Sequence, residues 1–204
     1  MSSERSGLRS LLGLPVLYRW FDAALGGPRM RSAFVAEVAR IAPGDKVLDV
    51  GCGPGHILEH LPDVDYLGCD TNERYVDEAR ERYGARGRFV HAGIQDLAEG
   101  DVQFDVALST GVLHHLDDDQ ARSLFEYAHR ALRPGGRLCT LDGCYAPGQH
   151  PVARRLLAND RGRYVRTEAA YVALARERFA KVESRVRHDA LRIPYTHVFL
   201  TCEK

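Results

Sequence analysis

The sequence predicts an α/β protein: a mostly parallel seven-stranded sheet with helices on both faces and an antiparallel pair of strands at its C-terminal end. Three observations point there. Apolar runs too short for helix interiors, at 47–50, 66–69, 88–91, 104–109 and 138–141, alternate with segments whose apolar residues recur at helical spacing, as in βαβ units. The first run leads into Asp49-Val50-Gly51-Cys52-Gly53-Pro54-Gly55. Its glycines force a tight turn and let a ligand approach bare backbone. The last two runs, 182–186 and 198–202, follow each other with only a turn between them, as antiparallel strands do.

Taken in order, the first seven residues are polar and read as disordered. Leu8, Leu11 and Leu12 suggest a short helix ended by Pro15; Leu17, Trp20, Phe21, Ala24 and Leu25 mark a second, stopped by Gly26-Gly27. Pro28 suits the first turn of a third, whose apolar face is Met30, Phe34, Val38 and Ile41. Residues 1–40 thus read as an N-terminal helical cap or lid and 41–204 as one domain. The cap has three readings: docking against the sheet, a lid over the substrate, or peripheral membrane contact through Arg5, Arg9 and Arg19 beside Leu and Trp. A short helix at 56–61 follows the glycine turn. The second strand ends at Asp70, and Tyr75, Val76, Ala79 and Tyr83 share a face of the next helix, with Gly84 as its C-cap. Ala121, Leu124, Phe125, Ala128 and Leu132 mark a helix capped within Asp117-Asp118-Asp119, which Arg133-Pro134-Gly135-Gly136 ends. Thr167 opens a late helix over 167–178.

Bulk properties narrow the function. At 204 residues the chain supports one sizeable domain. Lys plus Arg and Asp plus Glu both number 28, so no net charge draws it to nucleic acid. The absence of a membrane-length apolar stretch and of a signal-peptide pattern makes cytoplasmic localisation the expectation. The five cysteines form no C-x-x-C, which indicates neither a disulfide framework nor a zinc site. Four lie in or beside apolar runs; Cys144 alone is expected to face a site.

The glycine turn departs from the dinucleotide fingerprint G-x-G-x-x-G, since position 56 is His56. With Asp70, the run Phe104-Asp105-Val106-Ala107-Leu108-Ser109, the segment Val112-Leu113-His114-His115-Leu116 and Leu132-Arg133-Pro134-Gly135-Gly136, it resembles the class I S-adenosylmethionine (SAM)-dependent methyltransferases, in their small-molecule branch. The resemblance covers residues 41–204. It implies a Rossmann-like fold, SAM as cofactor with S-adenosylhomocysteine as product, and methyl transfer by direct displacement to a small-molecule acceptor. An RNA or protein methyltransferase and a non-catalytic SAM-binding domain are the alternatives.

The same resemblance distributes roles. Asp49 holds the SAM ammonium directly or through water; Gly51, Cys52, Gly53 and Gly55 cradle the amino-acid part. Asp70, followed by Thr71, accepts from the ribose hydroxyls. Ile94 offers its backbone to adenine. Gly93 stands where relatives carry an acid, so the exocyclic amine is left to Gln95, Asp96 or water. Ser109 and Thr110 reach the methionine part. His114, Tyr145 and His197 are candidate bases. Asp142 and Cys144, with Tyr18, Arg154, Arg163, Tyr164 and Tyr195, are candidates for the substrate. The arginines at 154, 155, 161, 163 and 166 suggest an anionic substrate, or else a solvated face. The acidic run 117–119 is explained by capping, so no metal is expected. The sequence says nothing of oligomeric state.

Overall fold

A computed structural model of the chain describes residues 24–97, 103–159 and 162–204. Its strands are β1 (Lys46–Val50), β2 (Asp65–Asp70), β3 (Arg88–His91), β4 (Phe104–Thr110), β5 (Leu132–Tyr145), β6 (Arg166–Thr167), β7 (Lys181–Arg187) and β8 (His197–Glu203). Seven of them run in the order β3-β2-β1-β4-β5-β8-β7, and the two-residue β6 adds to β5 off that path. Pairings among β1 to β5 are parallel, while β8 pairs antiparallel with both β5 and β7. The expected sheet is therefore present, with one short strand beyond it. The late strands are joined by a longer connection than a turn, residues 188–196, whose Arg192 N–H donates to the Leu25 carbonyl.

Strand order reverses between β1 and β4, which opens a crevice at their carboxyl ends. Around the sheet lie α1 (Gly27–Ala33), α2 (Glu73–Tyr83), α3 (Asp118–Ala131), α4 (Pro151–Ala158) and α5 (Glu168–Arg176). Two apolar layers hold the structure together. One joins Phe34, Val38, Val47, Tyr66, Leu108 and Phe199, with Met30 and Ile41 packed against it; the other joins Leu48, Ala107, Leu124, Phe125, Leu138, Tyr171 and Leu200.

Local chemistry sets the helix ends. Asp117 accepts from the Gln120 N–H while the Gln120 side chain returns to the Asp117 N–H, a capping box that opens α3. Thr167 caps α5. The third expected helix continues past α1 as a π-helical turn, Phe34–Ala39, and stops at Arg40, whose φ is 48°. The segment after the glycine turn is a 3-10 helix, His56–His60. Gly84 does end α2, but right-handed at φ −59°. Cys144 is a correction: it is fully buried among Tyr171, Leu174 and Val198 and faces no site. The expected helices before residue 24, with Trp20 and the Tyr18 candidate, lie outside the described residues.

Candidate active site

The crevice begins at the glycine turn. Gly51, Gly53 and Gly55 have φ values of 71°, 52° and 77°, a left-handed region that other residues enter only with strain. Their surroundings differ. A side chain at Gly51 would strike Val112 at 2.4 Å, and one at Gly55 would press on Tyr83 and Phe89. At Gly53 a Cβ would meet nothing within 4 Å. Gly51 and Gly55 are thus small for packing, whereas Gly53 borders open space. Cys52 is buried, and its thiol donates to the Gly53 carbonyl.

Two carboxylates flank this turn. Asp49 is buried and accepts from the Tyr66 hydroxyl at 2.6 Å through Oδ2. Its Oδ1 is buried with no hydrogen-bond partner among the described residues. Burial pushes the Asp49 carboxyl up to about 7, with the Tyr66 bond opposing the rise and the charge of Asp70 adding to it. Asp70 stands at the end of β2, accepting from the Gly53 N–H at 2.9 Å and from the Asn72 N–H at 2.8 Å. Helix α2 is capped by Asn72 and not by Asp70. A buried, orphaned carboxylate oxygen beside an open glycine fits a cationic amine attached to a larger ligand.

Further along the crevice, the Asp96 carboxylate accepts from the Gly93 N–H at 2.9 Å and so caps its own turn, Ile94–Leu97. The Gln95 side chain folds back over Gly93, which has no Cβ to obstruct it. Thr71 is exposed and its carbonyl bonds His91. Ser109 is fully buried with an unpartnered hydroxyl among the described residues, and Thr110 is half-buried.

A second polar group sits at the ends of β4 and β5. The 3-10 turn Leu113–His115 buries His114 and exposes His115. His114 Nδ1 lies 2.8 Å from Asp142 Oδ1, and the His114 backbone N–H donates to the same oxygen at 3.2 Å. Asp142 is fully buried; burial pushes its carboxyl up while His114 holds it down. Gly162 gives the ring room, since a Cβ there would lie 2.1 Å from His114 Cδ2. His197 is also buried, its ring tilted against that of Tyr195 with centroids 4.6 Å apart. Burial, with His114 nearby, lowers its imidazole to about 4.

The arginines divide. Arg154 is exposed and lies 5.6 Å over the Tyr145 ring, just past β5; Arg163 is exposed, as is Tyr164 at 40%. Arg166 is no free anion receptor: it is buried and bonds the carbonyls of Leu113, Leu116 and Tyr164 and the Asp118 carboxylate. Arg161 lies outside the described residues. A cleft of about 260 Å³ opens beside Tyr195, between α4 and the 188–196 connection. Among the described residues no group of His, Cys, Asp and Glu is placed to hold a metal. No helix among them is long and apolar enough to cross a membrane.

Residues 47–136 match the family model described as a methyltransferase domain. The 27-O-demethylrifamycin SV methyltransferase of Amycolatopsis mediterranei is 34% identical over 121 residues, 55% of this chain and 44% of that one. Phosphoethanolamine N-methyltransferase 3 of Arabidopsis thaliana is 33% identical over 129 residues, 60% of this chain and 26% of that one. The chain thus spans less than half the length of either. A TehB-like SAM-dependent methyltransferase from Corynebacterium glutamicum shares the fold with TM-score 0.67 at 20% identity, covering 97% of this chain and all of that one. Phosphoethanolamine N-methyltransferase 2 of Haemonchus contortus, solved with S-adenosylhomocysteine, superposes with TM-score 0.75 at 17% identity, over 100% of this chain and 60% of that one. Residues 47–136 thus match a methyltransferase domain, the fold is one that SAM-dependent methyltransferases share, and together these findings support a class I SAM-dependent methyltransferase with SAM as cofactor.

Proposed function

We propose that this chain transfers the methyl group of SAM to a small-molecule acceptor whose nucleophile loses a proton to His114. The observation that carries the reading is the buried His114–Asp142 pair at the carboxyl ends of β4 and β5. When bound, SAM supplies a methyl group already activated by its positive sulfur, so the protein chiefly positions the partners and excludes water. The Gly51–Gly55 turn receives the amino-acid end, with Asp49 toward the ammonium and Asp70 toward the ribose. The backbone at Ile94, with Gln95 and Asp96, would hold adenine, and Ser109 and Thr110 would border the methionine part.

Among the three candidate bases, His114 has the supporting partner. An ionised Asp142 accepting from Nδ1–H fixes the tautomer in which Nε2 takes a proton. His197 is a weak base because burial depresses it, and Tyr145 lies under the Arg154 guanidinium. Arg154, exposed over the Tyr145 ring just past β5, is our candidate for an anionic group on the acceptor, with Tyr195, Tyr164 and Arg163 as further candidate contacts. Two relatives carry phosphoethanolamine, an anionic amine, in their names, which supports the same substrate class.

The test measures methyl transfer to a panel of phosphorylated amines and phenolic acids. His114→Ala is expected to lower kcat by about 10²-fold or more, the usual contribution of a general base, with SAM affinity near normal. Arg154→Ala is expected to raise KM for anionic acceptors alone. Unchanged kcat in His114→Ala would overturn the assignment of the base.

A further inference from the structure

We propose that Tyr66 is a positioning residue for cofactor capture: its hydroxyl holds one oxygen of Asp49 so that the other is presented, ionised, to the ammonium of SAM. The inference rests on the Asp49–ammonium contact proposed above and adds a residue that no part of the glycine turn contains.

The sheet register builds the pair. Val47 pairs with Tyr66 and Asp49 with Gly68, so Tyr66 and Asp49 are diagonal neighbours on one face of adjacent strands. Tyr66 is 1% exposed, and its hydroxyl meets Asp49 Oδ2 at 2.6 Å. Two glycines clear the ring's path. A Cβ at Gly68 would lie 3.0 Å from Tyr66 Cε1, and one at Gly87 would lie 2.7 Å from Tyr66 Cδ1. A tyrosine placed only for its bulk would not need its hydroxyl buried, and a buried hydroxyl is costly unless bonded. Here the one bond goes to the carboxylate whose second oxygen is orphaned.

The surroundings otherwise oppose an ionised Asp49. Asp70 at the end of β2 is a like charge, and Cys52 and Cys69 are buried thiols kept protonated by their own burial. Among the described residues, the Tyr66 hydroxyl acts in the other direction. A phenol donating to one oxygen stabilises the anion and also stops the carboxylate from rotating. Asp49 is thereby held ready for a cation, which the incoming amino group supplies.

The experiment uses the full chain and calorimetric titration with two probes, S-adenosylhomocysteine and 5′-methylthioadenosine, which lacks the amino-acid end. Tyr66→Phe keeps the ring and removes the hydroxyl. The expected result is roughly ten-fold weaker S-adenosylhomocysteine binding at pH 7, with 5′-methylthioadenosine unaffected. Because losing the bond raises the Asp49 pKa, the fall in S-adenosylhomocysteine affinity on acidification should also begin at a higher pH than in the parent. Gly87→Ala, whose Cβ would press on the ring at Cδ1, should give a weaker form of the same signature should Tyr66→Phe not fold. Equal weakening of both probes, or an unmoved pH profile, would show that Tyr66 only packs and overturn the proposal. Asp49→Asn separates the two readings: if it binds both probes as the parent does, Asp49 does not meet the ammonium at all.

Discussion

Asp70 carries two tasks at once. Its oxygens accept from the N–H groups of Gly53 and Asn72, so it ties the glycine turn to the start of α2 before any ligand arrives. Each oxygen keeps a further lone pair for the ribose. Asp70→Ala should therefore weaken S-adenosylhomocysteine binding by about 1.5–3 kcal/mol, the range for hydrogen bonds to a charged group. It should also speed amide exchange at Gly53 in the ligand-free chain. Calorimetry and hydrogen exchange read the two separately; a folded variant with unchanged affinity contradicts the ribose role. The position of Asp70 at the end of an apolar run was legible in the sequence. Its grip on Gly53 was not, because that bond spans two strands. Asp96 shows the converse: its bland role as the cap of its own turn is what the geometry bears out.

At the scale of elements, the glycine turn separates packing from binding. Gly51 is hemmed in by Val112, whereas Gly53 faces open space. Both have positive φ, so alanine at either costs about 1–2 kcal/mol of backbone strain. Gly51→Ala adds a clash and should lower the melting temperature much more than Gly53→Ala. Gly53→Ala should be destabilised only by that backbone strain, about 1–2 kcal/mol, yet lose much of its S-adenosylhomocysteine affinity. Thermal melts with and without ligand check this; the reverse ranking would mean that the cradle is misassigned. Strands, parallel pairing and helix caps were readable here because they follow from spacing and local hydrogen bonds. The π-helical turn 34–39 and strand β6 were not, since tertiary packing decides the first and two residues carry no periodicity. Arg166 looked like a member of a basic cluster; only the folded chain places its guanidinium among the carbonyls of Leu113, Leu116 and Tyr164.

Over the whole molecule, the sequence offered the cofactor candidates and His114 as one of three candidate bases, but not the pairing of His114 with Asp142. The glycine turn and Asp70 are written in one contiguous stretch and one strand end. The His114–Asp142 pair joins residues 28 apart, and the sequence had set Asp142 among substrate contacts. Buried titratable groups also shape the pH dependence of the ligand-free fold. Asp49 has a folded pKa of about 7 against an ordinary 3.8, so its contribution to stability is fullest below the lower value and is lost as pH rises through the upper one. His197 works oppositely: with a folded pKa of about 4 against 6.5, it weakens the fold as pH falls between those values. The two offset each other across this window. Asp49→Asn removes one side and should leave the ligand-free chain ~2–4 kcal/mol more stable relative to the parent at pH 8 than at pH 4, as denaturant midpoints would record. An unchanged difference between the two pH values contradicts an uncompensated buried Asp49.

The most direct test of methyl transfer to a small molecule is to incubate the chain with methyl-labelled SAM and a cell extract that retains its metabolites, RNA and protein. The label is then followed into each size fraction. The account predicts label in the low-molecular-weight fraction, in a compound other than SAM and its breakdown products, and its loss with His114→Ala. Label confined to RNA or protein, or no transfer by a chain that binds SAM normally, would contradict it.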